Sequence, residues 1–345
     1  MAKKRINLAL QGGGAHGAFT WGVLDRLLED DGIDIAAISA TSAGALNAVA
    51  LKAGLLAGGA QGARDNLDWL WEQVGAITDP GLEHWLALAG QGTEFWAAAM
   101  SASPAFAALD ATQRMLSPYV FGKVIRNPLE RIVAQFNYDL ACAADAPALF
   151  ICATNVRSGK IRVFAGADVT TGAILASACL PTVFEAVEIA DPVTGTTEAY
   201  WDGGYTGNPA LFPLFVPDLP SDILIVNINP LHRDELPRSI QEIQNRINEI
   251  SFNSSLLREM RAIEFVQRLI AQGAVPKGAM KQVLVHMVAD DGLMNDLNVA
   301  TKMIPTPVIL ARLKAAGRAG LDRFLVDHAG DLGQRSTVDL VDMFS

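Results

Sequence analysis

Apolar and polar positions at the start of the chain follow two periods in turn. Residues 5–11 and 33–40 are short, largely apolar runs, each giving way to small residues, as buried parallel strands do. Phe19, Val23, Leu24, Leu27 and Leu28 recur at helical spacing between Gly17 and about Asp30, and Ala45, Leu46, Val49 and Ala50 do so after Thr41. Strand, glycine-rich turn, helix, then the same again, predicts an α/β sheet with parallel strands.

The period stays helical from about residue 60 to 145, a region that holds four of the six tryptophans, Trp69, Trp71, Trp85 and Trp96. Its stretch "FWAAAMSASPAFAAL" (95–109) suits a helical cap over an apolar pocket and suits core helices equally well. Strand patterns return at 148–155, 160–166, 185–189, 198–204 and 222–229. An amphipathic segment from about Ser239 to Gln272 follows, then a last strand at 282–290 and a helix from about Thr306 to His328. No repeat or low-complexity linker divides the chain. The expectation is a three-layer open sheet of mostly parallel strands in one domain over 1–345, with the chemistry in 5–230, a helical insertion at 60–145 placed to cap the site, and further helices and a strand in 231–345.

Composition narrows the function classes. The chain of 345 residues carries a net charge of −10 and a pI near 5.0, which argues against a nucleic-acid partner. It is half hydrophobic with a mean hydropathy of +0.24. The stretch closest to a membrane span, 43–60, is broken by Asn47 and Lys52 and reads as a core helix, so no transmembrane segment is expected. Cys142, Cys152 and Cys179 form no CxxC pair and have no histidine at ligand spacing, so neither a disulfide framework nor a metal site is expected. The apolar run after "MAKKR" is too short for a signal peptide, which makes the cytoplasm the default location, with peripheral contact to membranes or lipid bodies left open.

Candidate chemistry lies at the ends of the first two strands. Gly12, Gly14 and Gly17 satisfy G-x-G-x-x-G between a strand and a helix, the context of a dinucleotide-binding turn. That motif also wants an acidic residue at the end of the second strand, where this chain has Ser42 in "ATSAG". The pentapeptide approximates the G-x-S-x-G nucleophile elbow, with Ala40 in place of the first glycine, Gly44 as the second, and Ala43 opening a helix whose free amides favour developing negative charge. On its own, Ser42 would read as a helix N-cap. Asp202, Gly203 and Gly204 follow at a later strand end; an aspartate near its reference pKa of about 3.9 is a weak but available base. His232, His286 and His328 come late enough to complete a Ser–acid–His order, although none lies in a motif that commends it.

Together "GGGAHG", "ATSAG" and "DGG", in that order, with "ASACLPTVFEAV" (176–187) between the last two, resemble the patatin-like phospholipases across roughly residues 5–230. The resemblance implies a patatin-like fold and a serine acyl hydrolase of lipid or long-chain acyl esters, needing no cofactor. It implies a Ser42–Asp202 dyad without histidine and an oxyanion hole from the amides of Gly12, Gly13 and Gly14. His16 stands where the family has Arg or Lys, so a fixed positive charge is absent or pH-dependent, given an ordinary histidine pKa of about 6.5; a solvated residue at a helix start is an equally good reading. Two other classes stay open at this point: a lipid- or partner-binding module with little turnover, and a dinucleotide-dependent oxidoreductase.

Overall fold

The computed structural model describes residues 3–77, 117–121, 127–276, 278–297, 301–302 and 304–344. Eight strands form one sheet: β1 (Lys4–Leu10), β2 (Ile33–Thr41), β3 (Ala148–Asn155), β4 (Ile161–Ala165), β5 (Val187–Asp191), β6 (Thr196–Asp202), β7 (Asp222–Val226) and β8 (Leu284–Val288). Their order is β5-β6-β3-β2-β1-β7-β8, with β4 also on β3. The run from β3 to β8 is parallel, while β4, β6 and β5 join antiparallel at the other end. The five main helices are α1 (Gly17–Leu27), α2 (Ala43–Ala76), α3 (Thr171–Ser177), α4 (Ile240–Ala271) and α5 (Pro307–His328).

Alternation along the central strands builds two cores. Ile6, Leu8 and Leu10 of β1, with Ile38 and Ala40 of β2, face α1, α2, α3 and α5. Ala9 and Ala37 face the opposite way, with Ile223 and Ile225, toward Leu256, Met260 and Ile263 of α4. The sheet is therefore the middle of three layers.

α2 is the apolar helix of the "ATSAG" turn, and it runs further than its pattern suggests. Gly58 and Gly59 leave helical geometry and kink it, and the second arm returns Ala63, Leu67, Leu70 and Trp71 to the same core as the first. Residues 60–76 thus pack in the body of the fold. Ile132, Val133, Phe136 and Ala141, toward the other end of the expected insertion, join that core as well, and residues 78–116 and 122–126 lie outside the described residues. α2 has the length and hydropathy of a membrane-crossing helix, yet 67% of its most apolar window is buried within the protein. Its polar interruptions are satisfied inside: Asn47 donates to the Gly17 and Ala43 carbonyls and accepts from Trp71 Nε1, and Lys52 Nζ donates to the Ala143 carbonyl at 2.6 Å.

One feature of strand order positions the chemistry. β2 pairs with β3 as far as Thr41↔Cys152 and there stops; β6 takes up the same edge of β3 at Ala153↔Asp202. Both must occupy the edge opposite β4, because β4 pairs with Phe150–Thr154 and overlaps each of them. The end of β6 therefore abuts the end of β2.

Candidate active site

β1 and β2 are paired at Leu10↔Ala40, so the glycine turn after one and the serine turn after the other leave the sheet side by side. They are packed to contact. A β-carbon on Gly12 would sit 2.5 Å from Ser42 Cβ, and one on Gly44 would sit 2.3 Å from the Leu10 carbonyl oxygen. Gly17 meets Ala43 in the same way at the start of α1. Ala40, the departure from the elbow pattern, is in regular strand pairing with its methyl wholly buried in the core.

Ser42 has φ 54° and ψ −122°, and it is the one non-glycine residue of positive φ among the described residues. Its side chain makes no capping hydrogen bond to α2, unlike an ordinary serine N-cap. Its backbone N–H donates to Ser177 Oγ at 2.9 Å, and Ser177 Oγ donates on to the Cys152 carbonyl at 2.7 Å, tying the strained turn to β3.

Asp202 is completely buried at the end of β6. Its N–H donates to the Cys179 carbonyl and its carbonyl accepts from Thr154 Oγ1, each at 2.8 Å. Gly203 comes next, where a β-carbon would lie 2.2 Å from the Cys152 carbonyl oxygen, and Gly204 lies against the Phe252 ring. The Gly204 N–H donates to Oδ1 at 2.8 Å, whereas Oδ2 has no hydrogen-bond partner among the described residues. Burial pushes the carboxyl pKa up to about 7, with the Gly204 amide and the nearby Ser42 hydroxyl acting weakly against it. The Ser42 hydroxyl is thus close enough to favour the charged form but does not form a well-aligned bond to it, a looseness common in substrate-free sites. This corrects the expectation of an aspartate at its reference pKa.

The glycine turn is held by amide side chains that its sequence does not advertise. The Gly12 N–H donates to Asn208 Oδ1 at 2.7 Å, so that amide is already occupied. The Gly12 carbonyl accepts from Asn229 Nδ2 at 2.8 Å, while Gln11 Oε1 accepts from the Ile228 and Asn229 amides. The amides of Gly13 and Gly14 make no hydrogen bond among the described residues, and Gly14 has φ 60°. The sequence signal for Asn208 and Asn229 is an asparagine beside proline in the loop after β6, "YTGNPA", and in the loop after β7, "VNINP".

His16 is neither solvated nor a charge that switches near neutrality. It is completely buried, with Nε2 2.9 Å from Thr301 Oγ1. Burial foremost, then the Lys302 charge, lowers its pKa to about 3, so the imidazole is neutral. None of the other described histidines is hydrogen-bonded to Ser42 or Asp202 among the described residues. His286 is on β8, three strands from β2 or about 14 Å at the usual strand spacing, hydrogen-bonded to Asp222 Oδ1 at 3.0 Å. His328 pairs with Asp331, and His232 is exposed beside Asp234. His84 is outside the described residues. Among the described residues no group of three or more His, Cys, Asp or Glu is arranged to hold a metal ion, and the three cysteines are unpaired.

The site is thus a strained serine, a buried carboxyl group and a pair of glycine amides with no hydrogen-bond partner among the described residues, at the carboxyl end of an α/β sheet. The profile of the patatin-like phospholipase family matches residues 8–215, a span that includes all three motifs. The chain belongs to that family, whose members are in general lipid acyl hydrolases. Among solved structures it is similar to VipD from Legionella pneumophila, at 14% identity and a TM-score of 0.43, over 95% of this chain and 68% of that one. No curated protein matches it.

Proposed function

We propose that the protein is a serine hydrolase of lipid or other long-chain acyl esters that works through Ser42 and Asp202 alone. The observation that carries this reading is the junction on the edge of β3, where a serine in an elbow conformation and a carboxylate of pKa about 7 occupy adjoining strand ends. A base poised near neutral pH combines a large ionised fraction with real proton affinity.

In the proposed reaction Asp202 accepts the Ser42 proton as Oγ attacks the ester carbonyl. The carbonyl oxygen becomes an oxyanion against the Gly13 and Gly14 amides, each such donor being worth about 10²- to 10³-fold in rate. The positive end of α2 adds to that field. Collapse breaks the C–O bond to the alcohol, which leaves with the proton held by Asp202. Water then gives a proton to Asp202, attacks the acyl-enzyme and releases the fatty acid, and the proton returns to Ser42.

The test is a fluorophosphonate probe followed by peptide mass mapping, together with hydrolysis of chromogenic esters of graded chain length. The adduct is expected on Ser42, and both Ser42→Ala and Asp202→Asn are expected to lower turnover by at least about 10³-fold. Single replacement of His232, His286 or His328 should leave turnover within about threefold. A wild-type protein that neither labels nor turns over would favour a lipid-binding module.

A further inference from the structure

The glycine turn is in contact with a segment nearly three hundred residues away in sequence, and that segment is anchored by a buried ionic cluster. A β-carbon on Gly14 would lie 2.4 Å from the Lys302 carbonyl oxygen, so the backbone at Lys302 rests on the Cα of Gly14. One residue earlier, Thr301 Oγ1 is 2.9 Å from Nε2 of His16, at the other end of the same 3-10 turn. Thr301 and Lys302 thus touch the turn at both ends.

The Lys302 side chain explains why the segment stays there. Nζ donates to Glu249 Oε1 at 2.8 Å and to Asn245 Oδ1 at 3.3 Å, both on α4. The Glu249 side chain has no exposure to solvent, and Arg233 grips it with two hydrogen bonds of 2.7 and 2.8 Å, with Arg246 also in range. α4 carries Phe252 against Gly204 three residues further on, and Asn253 Oδ1 accepts from Gln11 Nε2. One helix therefore supports the serine's partner loop, the glycine turn and the segment that lies on it.

Resting on the hydrolase reading above, we infer that Thr301–Lys302 is a brace for the oxyanion loop and that Lys302 is a positioning residue for acyl transfer. Gly14 is held between its left-handed backbone and the Lys302 carbonyl, which leaves the peptide planes on either side of it little freedom to turn. The plane joining Gly13 to Gly14 carries the Gly14 amide, and holding it fixes one side of Gly13, whose own amide is in the plane before. His16 is neutral, so the basic charge near the loop comes from Lys302 and Arg233, balanced in part by Glu249. Loosening the brace misaligns donors that matter only when the oxyanion forms, which lowers kcat and spares KM.

The experiment compares wild type, Lys302→Met, Lys302→Arg and the double variant Lys302→Met with Glu249→Gln, in which no carboxylate loses its lysine. Thermal melting, hydrolysis of a short chromogenic ester and the rate of fluorophosphonate labelling are measured on each. Lys302→Met is expected to lose about 10- to 100-fold in kcat and in labelling rate with KM within about twofold, and Lys302→Arg to recover most of the loss. If Lys302→Met does not fold, the folded double variant is expected to show the same split. A folded variant without the lysine that keeps kcat within twofold of wild type overturns the brace and leaves the hydrolase reading standing. A wild type that does not label overturns both.

Discussion

Asp202 is costly to the fold in its charged form, because burial disfavours the carboxylate. Its carboxyl pKa is about 7 in the folded protein, against about 3.9 in an unfolded chain. Between those values the folded state holds the proton more tightly, so the Asp202 contribution to stability falls as pH rises from about 4 and is fully adverse above about 7. Asp202→Asn is therefore expected to be more stable than wild type at pH 8 by a few kcal/mol, and to lose that advantage near pH 4. Urea denaturation at the two pH values checks it, and a constant difference between them would contradict the raised pKa. As the proposed base, Asp202 would set the acid limb of kcat/KM, with an expected apparent pKa near 7 and not near 4. At this scale the sequence was a partial guide. It displayed the serine, the aspartate and the glycines, because sterically tight turns admit few residue types. It hid the environment of Asp202 and His16, since burial is a property of the packed fold, and it hid Asn208 and Asn229, whose partner in the glycine turn lies far along the chain.

Among the elements, the strands were the legible part, because short apolar runs bounded by turn residues leave few alternatives. The kinked return of α2 was not, since Gly58–Gly59 looks like the end of a helix and Trp71 has no local cue to its burial. Register was the other silent quantity. Asp202 faces the serine because β6 meets β3 at Ala153, and side chains alternate along a strand. One extra residue between Tyr200 and Trp201 should turn Asp202 to the opposite face and lower fluorophosphonate labelling by at least about 100-fold. A residue added at the exposed hairpin tip, between Thr194 and Gly195, should leave labelling within about threefold, because pairing to β3 holds the register downstream. Equal effects from the two insertions would count against β6 as the element that sets the site.

For the molecule as a whole, the helical layer is fastened away from the chemistry. Asp25, near the far end of α1, accepts from Arg64 of α2 at 2.8 Å and from Arg318 of α5, and Glu29 engages both arginines. Its side chain is only 3% exposed, and the two arginines lower its pKa despite burial. Asp25→Asn should cost about 3 kcal/mol by leaving two cations short of a partner. Because the stabilising form is the carboxylate, the cost should be greatest at neutral pH and shrink as pH falls below about 4. Asp25 is eight residues, about 12 Å, along α1 from Gly17, so the folded variant should label at the wild-type rate. A matching loss of labelling would tie this clamp to the site. A different kind of independence follows from the edge of β3. Because that one strand acts as a straightedge for the ends of both β2 and β6, the spacing of Ser42 and Asp202 is set by pairing to β3 and not by the length of the connection that follows α2.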